Sequence, residues 1–120
     1  MKVVPNEPPR LFEVGNGPKI LLADCGRIEL EADEQVTFTT PAGAEYDVAR
    51  KDWGFYATPS LNGRLAGLGL RGVLVRNPSS QYFVLLVERG REESFDRYRA
   101  DEGLEIVTWL DDDDSLSRLG

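Results

Sequence analysis

The chain has 120 residues, no histidine, one cysteine and a formal net charge of −7. Missing imidazole excludes Ser-His and Cys-His nucleophile pairs and His-ligated zinc, and a single thiol excludes both a thiolate zinc site and an internal disulfide. The fourteen basic residues run from Lys2 to Arg118 with no cluster denser than Arg97 and Arg99, and the longest apolar run has six residues; neither a nucleic-acid surface nor a membrane helix of roughly 20 residues is expected.

Residues 1–10, with Pro5, Pro8 and Pro9, read as an extended N-terminal arm. Residues 11–110 read as one α+β domain whose N-terminal half is β-rich and antiparallel. Residues 19–23 form an apolar burst before Gly26, a breaker. Residues 27–31 (RIELE) alternate strictly, with Ile28 and Leu30 on one face and charges on the other. Residues 35–40 (QVTFTT) are β-branched, and residues 45–48 alternate again. Turns between them at about ten-residue spacing predict a meander with one packed and one wet face.

After Thr58 the period changes. Leu61, Leu65 and Leu68 recur at helical spacing, with Thr58 as the expected N-cap, Pro59 as the first helical residue and Gly67 or Gly69 as the stop. Residues 70–76 predict a strand and residues 77–80 (NPSS) a turn. Residues 82–87 (YFVLLV) have no polar face, which predicts a strand covered on both sides at the centre of the core. Residues 90–102 are the clearest helix, with Glu93 four before Arg97, Phe95 and Tyr98 as its buried stripe, and Gly103 at the C-terminal cap. Residues 105–110 (EIVTWL) close as a strand, so the C-terminal half reads helix, β-hairpin, helix, strand. Residues 111–120 open with four aspartates and read as a solvated acidic C-terminal tail, whose Leu116 and Leu119 share a face able to dock a partner.

The most site-like stretch is residues 51–72, KDWGFYATPSLNGRLAGLGLRG. Asp52, Trp53, Tyr56, Ser60, Asn62 and Arg64 offer aromatic bodies for stacking on a sugar or nucleobase, with polar groups to hold hydroxyls or phosphate. The same segment also suits a strand-to-helix corner, in which alternation buries Trp53, Phe55 and Ala57; the corner is the favoured reading. Gly67, Gly69 and Gly72 run from a helix into a strand, the reverse of a dinucleotide loop. Asp24, Glu29, Glu31, Asp47 and Asp52 are the carboxylates that a sheet face can gather for hydrolysis, but alternation sends Glu29 and Glu31 to solvent. Consecutive aspartates at 111–114 diverge on an extended chain and lack the glycine of a calcium loop. Cys25 has no basic neighbour in sequence to activate it and reads as a small buried hydrophobe.

The expected function is a non-catalytic binding or protein-interaction module of the cytoplasm, with a protein partner or a second copy of itself. The alternative is a small enzyme or ligand-binding domain that acts on a sugar or nucleotide-like substrate through residues 52–64. No catalytic residue, metal or cofactor is assigned, and the apolar segment 104–110 is an edge strand suited to a dimer.

Overall fold

The computed structural model describes residues 1–120. β1 (Lys2–Val14) and β2 (Ile20–Glu29) form a two-stranded antiparallel ribbon. β3 (Gln35–Thr39), β4 (Glu45–Lys51) and β5 (Gly54–Ala57) form a three-stranded antiparallel sheet. After the short helix α1 (Arg64–Gly67) come β6 (Leu70–Arg76), β7 (Tyr82–Glu88), helix α2 (Glu92–Glu102), β8 (Glu105–Trp109) and helix α3 (Asp113–Ser117). The second three-stranded sheet has the order β7–β6–β8, with both pairings antiparallel. The fold is a single α+β domain with a β-rich antiparallel N-terminal half and a helix, hairpin, helix, strand C-terminal half.

The main core is built on β6. Val73 and Val75 are fully buried and cluster with Val87 of β7 and Phe95 of α2, while Leu85, Leu104, Ile106 and Trp109 pack around them. Phe95 meets Trp109 edge to face, with centroids 5.9 Å apart and planes at 72°, the arrangement that the ring quadrupole favours. A smaller cluster of Ala44, Leu65 and Leu70 forms where the segment before β4 meets α1 and β6. Its closeness is backbone-determined: the Glu45 N–H donates to the Leu68 carbonyl at 3.0 Å, and Gly69 sits at φ +83° against Ala44.

α2 follows its sequence pattern. Gly103 adopts the left-handed conformation at its end, and Glu93 lies 3.7 Å from Arg97. Phe95 is buried as expected, whereas Tyr98 is exposed and the second buried residue is Glu102. α1 starts later than its leucine spacing predicts. Thr58 does not cap it; the Thr58 N–H donates to the Asp47 carbonyl, and the Ser60 hydroxyl accepts from the Arg64 N–H at 2.8 Å.

Three further expectations are corrected. β7 is an edge strand, not the centre of the core. The centre is β6; α2 reaches only the second half of β7, so Tyr82, Phe83 and Val84 face water. Residues 1–10 are extended but not a free arm: they run in register with β2 from Lys2 opposite Glu29 onward. Residues 6–9 bulge out opposite Cys25, and Asn6 Nδ2 donates to the Asp24 carbonyl at 2.9 Å across the bulge. Pro8 and Pro9 fall within that bulge, where no ladder N–H is required. Opposite Pro5, Gly26 admits no side chain, because a Cβ there meets the Val4 oxygen at 2.5 Å. The acidic C-terminus is not wholly solvated either. Asp112 caps α3 by accepting from the Asp114 N–H at 3.2 Å, Asp111 pairs with Arg71, and Asp113 accepts from Asn62.

Candidate functional site

The β4–β5 hairpin closes through a two-residue turn, Asp52-Trp53, between paired Lys51 and Gly54. Gly54 supplies a φ of +148° that other residues resist. Contrary to the expected corner, Trp53 is 69% exposed, Phe55 67% and Tyr56 52%. The physical reason is that β5 pairs only with β4 and no layer covers it. Alternation sets which side chains share a face, but a face is buried only where something packs on it.

The other three predicted ligand residues do structural work. Asn62 Nδ2 donates to Asp113 at 2.7 Å. Arg64 donates to the buried carboxylate of Asp47 and, at 3.4 Å, to the Thr58 hydroxyl; the Thr37 hydroxyl donates to Asp47 at 2.6 Å. Ser60 receives the α1 N-terminus. Asp52, Trp53 and Tyr56 therefore stand on an open hairpin, while Ser60, Asn62 and Arg64 stitch the chain together. Five surface grooves open elsewhere, and none is lined by any of the six.

One cluster escaped the sequence reading. The Arg71 guanidinium lies 3.9 Å from the Trp109 ring centroid, its Nε donates to Asp111 at 2.7 Å, and Glu92 and Arg89 complete the group at 3.7 Å and 3.6 Å. The hydrogen bond from Arg71 is the main cause that holds the Asp111 carboxyl below its ordinary value. The available signal was Arg71 itself, two residues before Val73 on the same face of β6. With every charge partnered, the cluster seals the edge of the α2 core and leaves no free group for a ligand. No three His, Cys, Asp or Glu residues are grouped to hold a metal ion, and no helix is long and apolar enough to cross a membrane. Cys25 is exposed, not buried, because the ribbon that carries it lacks a covering layer.

The large apolar surface lies on that ribbon. None of its 13 and 10 strand residues is buried. Cross-strand pairs Phe12–Leu22 and Val3–Ile28 face water, and Leu11 and Leu21 stand 62% and 63% exposed. The ribbon is held at two ends. At one, the N-terminal ammonium lies 2.9 Å from Glu34. At the other, the buried Glu102 carboxylate accepts the N–H groups of Asn16 at 3.1 Å and Gly17 at 2.9 Å. Those two donors offset the repulsion a carboxylate meets at a helix C-terminus. Near the first anchor, a groove of about 730 Å³ opens between Val4, Arg27 and Ile28 on the ribbon and Arg50 and Phe55 on the sheet.

The accessible surface is 8348 Å², against about 6,500 Å² for a compact monomer of 13.4 kDa. The radius of gyration is 16.0 Å, against about 13.6 Å for 120 residues. The molecule thus leaves roughly 1,900 Å² more in water than its mass requires. Comparison with protein-family models, with curated proteins and with solved structures finds no match to this chain.

Proposed function

We propose that the protein is a non-catalytic, cytoplasmic protein-interaction module whose working surface is the β1–β2 ribbon together with the aromatic β4–β5 hairpin. The observation that carries this reading is the excess of accessible surface over that of a compact monomer, together with the exposed apolar side chains of the ribbon and the hairpin. Contiguous apolar patches of this kind mark sites where another macromolecule docks. Phe12, Trp53, Phe55 and Tyr56 are of the residue types that concentrate in interface centres. The single exposed thiol, with no disulfide, supports a reducing compartment. An acidic chain without a basic patch favours a protein over a nucleic acid. Catalysis or ligand binding through residues 52–64 has less support, since its six residues share no groove.

The test has two arms. The full chain, immobilised and exposed to native extract of its source, is expected to retain a stoichiometric protein, a second copy included, and to lose it on Trp53→Ser, Phe55→Ser or Leu11→Glu. A melting screen against sugars and nucleotides is expected to show no shift. A rise in Tm with one such compound, abolished by Trp53→Ala, would replace this reading with the ligand-binding one.

A further inference from the structure

We infer that the occupant of the ribbon is a second copy of this chain, joined through the free edge of β2 into a four-stranded sheet of order β1–β2–β2–β1. This rests on the interaction-module reading above.

The first argument is the edges. β2 (Ile20–Glu29) pairs only with β1, so its outer row of backbone groups is open, and it contains no proline. β1 carries Pro5, Pro8 and Pro9 and a four-residue bulge, devices that blunt an edge against strand addition. Addition through β2 therefore stops at two copies, where a ribbon with two open edges would polymerise. A two-stranded ribbon is also marginal in water, whereas three or more strands with an apolar face are stable.

The second is charge. Residues 2–29 hold four basic side chains (Lys2, Arg10, Lys19, Arg27) and four acidic ones (Glu7, Glu13, Asp24, Glu29), so the ribbon is neutral and the whole −7 resides in the remainder. A strongly basic partner would be drawn to the remainder of the molecule. The ribbon is an apolar region where two like chains meet without net repulsion, and antiparallel pairing of β2 about a two-fold axis sets its Arg27 end against the apolar Ile20–Ala23 end rather than against a second Arg27.

The third is shape. The molecule exposes roughly 1,900 Å² more than a compact monomer of its mass, and none of the ribbon's strand residues is buried, so the ribbon is free to supply the about 800 Å² a side of a standard interface.

Sedimentation equilibrium of the full chain over a hundredfold concentration range tests this. The expected mass is twice 13.4 kDa. Leu21→Glu with Ala23→Glu, both on exposed positions, is expected to raise the dissociation constant at least about tenfold with the far-UV spectrum unchanged. Val107→Glu, on the β8 edge of the other sheet, is expected to leave it unaltered. Independently of any variant, hydrogen exchange of the wild-type β2 amides should slow as concentration rises. A monomer at every concentration that still retains a foreign protein overturns the second copy and leaves the interaction module standing. A monomer that retains nothing sinks both. A dimer lost on Val107→Glu and kept on the β2 variant overturns the ribbon as its seat.

Discussion

The β7–β6–β8 sheet and the β1–β2 ribbon are both antiparallel and both rich in Val, Ile and Leu, yet they end in opposite states. In the sheet, α2 lays Phe95 over Val73, Val75 and Val87, and Trp109 closes the edge. In the ribbon, Phe12, Leu11, Leu21, Leu22 and Ile28 make cross-strand pairs and nothing lies over either face. The difference is one of connectivity. A helix inserted between β7 and β8 must return over the sheet it leaves, while a hairpin closed by Gly15 and Gly17 has no following segment obliged to cover it. Apolar content supplies the driving force for burial; the chain path decides whether the partner surface is intramolecular.

The contrast can be broken most severely in the core. Leu65→Ala, at a fully buried position, should cost about 3 kcal/mol in urea unfolding, whereas Leu11→Ala on the ribbon should stay within about 0.5 kcal/mol at concentrations where the chain is monomeric. Equal losses would mean that the ribbon already has its own cover. Arg71→Ala should cost about 2 kcal/mol, since Asp111 then keeps a mostly buried carboxylate without its main donor; Arg71→Lys should recover only part, because it lacks the fork and the stacking plane. Gly17→Ala forces a Cβ to 2.0 Å from the Asp101 carbonyl and should release the ribbon tip from Glu102. Its expected cost is about 1–2 kcal/mol, read as fast hydrogen exchange in residues 14–20 with β6–β8 still protected. Acid should act on the same contrast. The Asp111 carboxyl lies below its ordinary 3.8 in the folded chain, so its contribution is complete above that value and drains away as pH falls beneath it. Arg71→Ala should remove that part of the acid sensitivity. Glu93→Gln, on an exposed pair, should change stability by only a few tenths of a kcal/mol.

Much of the architecture was legible. The strand at 70–76, the turn at 77–80, α2 with its Gly103 cap and the closing strand all follow from local pattern, because caps, turns and period are set by neighbours within a few residues. What local pattern does not carry is burial in an element with one neighbour: Val87 of β7 is buried as expected, but Tyr82 to Val84, Trp53, Phe55 and Cys25 lie in strands or turns at a sheet edge or on the ribbon and face water. The candidate site was half legible. Asn62 and Arg64 were singled out for their polarity, and their partners, Asp113 and Asp47, stand 51 and 17 residues away, beyond the reach of local pattern. In the sequence Asp111 is one of four consecutive aspartates, and only the fold brings Arg71 of β6 to it across 40 residues.

By itself, the amino-acid sequence determined the order of elements from residue 70 to residue 109, the α+β class and the chemistries without a histidine or a second thiol to run them. Only the tertiary structure decided that β6 rather than β7 is central, that the first strand is paired, and that the aromatic hairpin and the ribbon face water. Period and capping are short-range constraints written in adjacent residues. Burial depends instead on which distant segment arrives to fill the other side, and over the ribbon of this chain none does.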